Sequence, residues 1–242
     1  MVANNYYRVS ALPALGDLGT PPPISLADLR EHLAEPTPPK QPLRLRRLDA
    51  GRAQALVEAL LLADDLMQRE AVLAGEIQDA SPAILAAAQV RGDEALPDYL
   101  APADEPAPPR VASDAVWAAY FHHAAGLAAR LSSLFLAEWI AEEVALRNAL
   151  VAARAQALGL EAAHYLVAAD LGRSDEDFAP LISEWSAAAD PLAGLRVLDR
   201  ARWTWLVEHD GWFSFADDEL AAYAAKLILL VRWQRLSAEA HR

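Results

Sequence analysis

Cysteine is absent from the 242 residues, which excludes disulfides and thiolate metal sites. Glycine occurs only 10 times and β-branched residues are sparse, so little of the chain is suited to strands. Basic residues are in deficit: 21 Lys and Arg stand against 34 Asp and Glu, for a net charge of −13. Nucleic-acid binding needs a basic footprint and is not expected. Long uninterrupted apolar runs are also missing. The stretch 131–150 is broken by Glu138, Glu142, Glu143 and Arg147, too polar for a bilayer span. The first eight residues show no basic region leading into an apolar core, so no signal peptide is expected. These absences lead us to expect a soluble, cytoplasmic protein.

Hydrophobic residues make up 54% of the chain, much of it alanine joined by Leu, Glu and Arg, the strongest helix formers. The expected fold class is therefore all-α, a multi-helix bundle. Residues 4–13, with Tyr6, Tyr7 and Val9, favour an extended segment closed by Pro13. Ser25, with Asp28 three residues on, caps a helix to about Leu33, and Pro36, Pro38 and Pro39 break it. Helical spacing resumes near Leu43, with a kink or restart at Asp49-Ala50-Gly51. Asp79-Ala80-Ser81-Pro82 reads as a cap opening a helix through Ala88, ended by Gly92. The acidic, proline-rich stretch 101–112 reads as a linker between an N-terminal part, 1–100, and a C-terminal part, 113–242.

In that second part Ser113-Asp114 opens a proline-free pattern to Leu158. It predicts one long helix over 113–158, bendable at Gly126 and stopped by Gly159. A short helix from Glu161 to about Val167 follows, then one over 178–188. Asp190-Pro191 caps another to about Glu208, and a last helix spans about 217–237.

Chemistry-bearing patterns are thin. His122 and His123 are adjacent, and neighbouring helix positions point about 100° apart, which suits a structural pair better than one metal ion. Glu138, Glu142 and Glu143 resemble diiron carboxylates, but that chemistry needs Glu-x-x-His on two helices, and Ala145 stands three after Glu142. Glu143 and Arg147 have ion-pair spacing. No Walker loop, dinucleotide turn or nucleophile elbow occurs. No catalytic residue, cofactor or metal is expected. Trp203, Trp205, Trp212, Phe213, Phe215 and Trp233 form a dense aromatic group. They can serve as core or, since Trp anchors interfaces, as a contact surface.

Several segments together resemble a bacterial family of unknown function encoded beside V/A-type ATPase subunits. They are Asn5-Tyr6-Tyr7-Arg8-Val9-Ser10-Ala11-Leu12-Pro13, Pro23-Ile24-Ser25, Leu96-Pro97-Asp98-Tyr99-Leu100 and Phe135-Leu136-Ala137-Glu138-Trp139. Leu146-Arg147-Asn148-Ala149-Leu150, Arg202-Trp203-Thr204-Trp205-Leu206, Phe213-Ser214-Phe215 and Arg232-Trp233 complete the set. The stretch from Asn148 through Arg154 to Gly159 resembles that family's helix end.

That family is in turn similar to the socket subunit of the V/A-type ATPase, a helical funnel that sits on the membrane rotor ring and receives the foot of the central stalk. The present chain is shorter than that subunit by about one helical unit. The resemblance implies a partial funnel and a non-catalytic role at the inner face of the membrane. The implied partners are the central-stalk subunits and the rotor ring. The candidate interface comprises Glu138, Glu142, Glu143, Arg147, Asn148, Arg154, Trp205 and Trp212, with the three glutamates forming an acidic surface for a basic stalk foot. An assembly chaperone or adaptor for the same complex is the alternative, and a cryptic helical enzyme or metal-binding bundle a third reading.

Overall fold

The computed structural model describes residues 5–34, 43–101, 111–173 and 177–239; the side chains of 43–50 and 238–239 fall outside that description. The described residues form nine α-helices and no strand. The helices are α1 (Tyr6–Ala11), α2 (Leu26–Ala34), α3 (Leu43–Leu73), α4 (Ala87–Arg91), α5 (Ala112–Leu131), α6 (Leu134–Leu158), α7 (Ala179–Ser186), α8 (Pro191–Glu208) and α9 (Asp217–Glu239). The all-α expectation holds. Among the described residues no helix is long and apolar enough to cross a membrane.

Two compact units emerge, one from Met1–Asp93 with Arg202–Arg242, the other from Glu94–Ala201. This corrects the expected division into 1–100 and 113–242, because the C-terminal helix builds its core with the N-terminal part. Most of the expected linker, 102–110, and the breaker prolines 36, 38 and 39 lie outside the described residues.

The first unit is organised by α3 and α9. In α3 the consecutive residues Ala59, Leu60, Leu61 and Leu62 are all buried, as are Leu227 to Val231 in α9. Consecutive burial means each helix is enclosed on every side there. Buried alanines, among them Ala53, Ala221, Ala224 and Ala225, allow close approach of the two backbones. Arg52 pairs with Asp217 at 3.1 Å, and Asp64 pairs with Arg235 at 2.9 Å. Positions therefore advance together along both helices, so α3 and α9 run parallel. A parallel pair cannot be joined by a tight turn, and residues 74–216 lie between them. Helix α2 lays its buried stripe Leu26, Leu29 and Leu33 onto this pair. Its start follows the expected reciprocal cap: the Asp28 amide donates to Ser25 Oγ at 3.1 Å and the Ser25 amide to Asp28 Oδ2 at 3.0 Å.

Three local expectations change in this unit. Helix α3 passes through Gly51 without a break. Residues 6–11, expected to be extended, form α1. Arg8 within it is buried and donates to the Leu33 carbonyl at 3.1 Å, so tertiary contact overrides the extended preference of the tyrosines. The helix expected from Ser81-Pro82 does not open there and begins only at Ala87. The amides that would have started it are taken by Asp65, which accepts from Ala83, Ile84 and Leu85 at 2.7, 2.6 and 2.7 Å. Gln68 also accepts from the Ser81 amide at 2.8 Å. Gly92 ends α4 in the left-handed conformation, as expected.

In the second unit the expected single helix over 113–158 is two helices. Ser132, at φ 52°, adopts the left-handed stop of α5, a place glycine usually fills. Ser133 then caps α6, its hydroxyl accepting from the Leu136 amide at 3.1 Å. Arg147 of α6 pairs with Asp114 at the start of α5, 3.1 Å away, so α5 and α6 form an antiparallel hairpin. Between them Trp117, Tyr120, Phe121, Ala124 and Ala128 meet Phe135, Leu136, Trp139, Ile140 and Val144 as a buried core. Gly126 lies within a continuous α5. Gly159 ends α6 as expected, and only a 3-10 turn, Ala162–Tyr165, follows. Asp190 caps α8, accepting from the Ala193 amide at 2.7 Å.

Candidate functional site

The turn between α8 and α9 carries the most unusual backbone of the first unit. Phe213 and Phe215 both sit at positive φ, 61° and 52°. Left-handed backbone costs a non-glycine residue about 1–2 kcal/mol, so something must hold it. The Glu219 carboxylate does: it accepts from the Phe213 amide at 3.1 Å, from the Phe215 amide at 2.6 Å and from the Ser214 hydroxyl at 3.3 Å. Asp210 holds the other side, accepting from the Trp212 amide at 3.1 Å while pairing with Lys226 at 2.7 Å.

This strained turn displays aromatic rings instead of burying them. Trp212 and Phe213 are 74% and 69% exposed and stack with centroids 5.2 Å apart. Phe215 meets Phe213 at 6.3 Å and Tyr6 at 5.0 Å. Tyr6 and Tyr7 are each about half exposed and meet edge to face. The five rings form one contiguous surface. The N-terminal segment is fastened to the turn by the Asn5 amide, which donates to the Phe215 carbonyl at 2.8 Å. The Asn5 side chain also donates to Asp217 at 2.9 Å. Grouped, exposed aromatic rings make this face a candidate interaction surface, and backbone strain concentrates at functional positions.

Six of the eight expected interface residues lie on α6 in the second unit, and Trp205 and Trp212 belong to the first. Trp212 is on the aromatic surface. Trp205 is buried and stacks on His209 at 3.9 Å, so it is core and is corrected as such. Glu142 is buried as well, which removes it from an acidic docking face, whereas Glu138 is exposed and Glu143 half-buried. Arg147 is engaged with Asp114 and lies over the Trp117 ring at 5.0 Å. The Asn148 side chain bonds both the carbonyl and the amide of Val167, each at 2.9 Å, pinning the segment after α6. Arg154 is exposed and covers Trp185 at 5.2 Å. Tyr6 and Tyr7 are not among the expected interface residues, since nothing local tells that they lie beside residue 215.

The histidine pair diverges as its spacing requires. His122 Nδ1 faces the Ala118 carbonyl at 2.8 Å and Nε2 faces Asp170 at 3.1 Å. His123 stacks on Tyr99 at 4.4 Å. Burial, reinforced by the charge of Arg130, holds the His123 pKa below its ordinary value. Among the described residues no group of three or more His, Asp or Glu is placed to hold a metal ion.

No protein-family model, no curated protein and no solved structure matches this chain.

Proposed function

We propose that this chain is a non-catalytic, protein-binding component associated with a V/A-type ATPase. It would act as the socket subunit does, at the inner face of the membrane between central stalk and rotor ring. The observation that carries the proposal is the aromatic surface. Its rings come from the Asn5–Pro13 and Phe213–Phe215 segments, two of those on which the resemblance rests, and from Trp212 beside them, and they join into one exposed face. Such a role needs rigid helices that transmit force and surfaces that recognise neighbours. The parallel, mutually enclosed α3 and α9 and the tight α5–α6 hairpin supply stiffness within each unit.

The test is affinity purification of the tagged full chain at low salt from cells that make the ATPase, followed by identification and quantification of co-purifying subunits. Recovery of stalk or rotor-ring subunits in fixed proportion is expected for a resident subunit. Presence only with incomplete assemblies points to the chaperone alternative. Recovery of no ATPase subunit overturns the proposal.

A further inference from the structure

Helix α7 is held to the second unit differently from its neighbours. Among the described residues every other α-helix buries at least one side chain, whereas α7 buries none. Its apolar residues Phe178, Leu181, Ile182 and Trp185 are all half-buried. They recur at i, i+3, i+4 and i+7, the stripe by which a helix lies in a groove. The stripe is therefore docked, but no part of it is enclosed.

The docking centres on one ring. The Arg154 guanidinium of α6 lies over the Trp185 indole at 5.2 Å. The indole also rests on the α8 backbone at Gly194, where an added Cβ would stand 3.2 Å from two of its ring atoms. Arg154 is itself exposed, so this cation–π contact is of the weaker, solvated kind.

The helix has little strength of its own. It is 8 residues long, and isolated helices shorter than about 12–15 residues are marginal in water. Four of those residues, Ile182, Ser183, Trp185 and Ser186, are middling helix formers. Once Trp185 leaves its seat, nothing local keeps the segment helical, so undocking and unwinding are one event. The α5–α6 hairpin does not share this weakness, because Tyr120, Leu136 and Ile140 are almost wholly enclosed.

We propose that α7 is a detachable strap: residues 178–188 undock and unwind in one step while α5 and α6 stay folded, and opening presents the Phe178, Leu181, Ile182 and Trp185 stripe. Segments with few enclosed apolar contacts are the ones that open below the energy of global unfolding. The strap is a property of the second unit alone and does not depend on the function proposed above.

Native-state hydrogen exchange of the full chain in increasing urea, read by NMR, is the test. The Ile182 and Ala187 amides donate to the Phe178 and Ser183 carbonyls at 2.9 and 3.1 Å and report on the two ends of α7. After correction for intrinsic rates, both should exchange roughly a hundredfold or more faster than the Tyr120 and Ile140 amides. Both should follow a single opening, with a common urea dependence smaller than that of global unfolding. Trp185→Ala should speed the α7 amides about tenfold further and leave those of Tyr120 and Ile140 within about twofold of wild type. Protection of α7 equal to that of α5 and α6 overturns the inference. So does a loss of protection in Trp185→Ala that α5 and α6 share equally. Exchange of Ile182 and Ala187 with no urea dependence also overturns it, since that is the mark of bonds fraying one at a time.

Discussion

Glu219 fixes Phe215 in a left-handed backbone conformation through a 2.6 Å hydrogen bond from the Phe215 amide. The same carboxylate takes the Phe213 amide at 3.1 Å, so one buried side chain in the first turn of α9 sets the display of the aromatic surface. Replacing it tests whether the strain serves the display. Glu219→Ala leaves two amides without their acceptor and should destabilise the fold by about 1–3 kcal/mol, read by urea denaturation. The Trp212 and Phe213 rings should also lose their fixed stacking, read as a loss of near-ultraviolet dichroism. An unchanged spectrum would show that the turn holds its shape without the carboxylate.

Asp65 plays a similar part inside the first unit. Burial pushes its carboxyl pKa up, against the three backbone amides that favour the ionised form, with the neighbouring Asp64 adding to the rise. Asp65→Ala would orphan the amides of Ala83, Ile84 and Leu85, and a loss of about 3 kcal/mol or more is expected. Hydrogen exchange at those amides should accelerate well beyond that of the α3 core. Protection equal to wild type would show that the loop is held by other contacts.

The break at Ser132-Ser133 predicts two effects of opposite sign. Ser133→Ala removes the cap of α6 and should cost about 1 kcal/mol. Ser132→Gly relieves left-handed backbone at a non-glycine residue and should stabilise by up to about 1 kcal/mol. Thermal or chemical denaturation of the two variants checks both signs. A stabilising Ser133→Ala would favour a continuous helix instead.

His123 makes stability depend on pH. Its folded pKa is lowered, chiefly by burial and secondly by Arg130, so below the ordinary histidine value of about 6.5 the unfolded chain binds protons more readily. The His123 contribution is fully present above that value and is lost as pH falls through the folded pKa. Wild type should therefore lose more stability between pH 7 and pH 5 than His123→Phe, which keeps a ring on Tyr99. Parallel curves for the two proteins would remove His123 as the source.

Helix ends are readable wherever a cap is closed by residues within one turn. Ser25 with Asp28, Gly92, Gly159 and Asp190 all act as their identities predict. Local reading fails where a distant residue intervenes. The tyrosines beside Arg8 suggest an extended strand-like segment, yet Arg8 is drawn to the Leu33 carbonyl and the segment coils. Two serines inside a proline-free pattern carry the signal for a break at 132–133, but their preference for caps is weak without the aromatic core that draws α6 back onto α5. At the candidate site, Trp212 is expected from sequence to be a contact residue, and the structure leaves it exposed. Trp205 is not distinguishable from it, because both belong to one aromatic-rich stretch and burial alone separates them.

The amino-acid sequence by itself determined the helical class and most helix termini. Backbone preference and capping are settled among residues a few positions apart. Tertiary structure alone decided that α3 and α9 lie parallel. It also decided that Asp65 delays α4, and that Tyr6 reaches Phe215 to complete an exposed aromatic face. Each of these depends on which surfaces are removed from water together, and that is a property of the whole unit: no local stretch contains both partners of the contact.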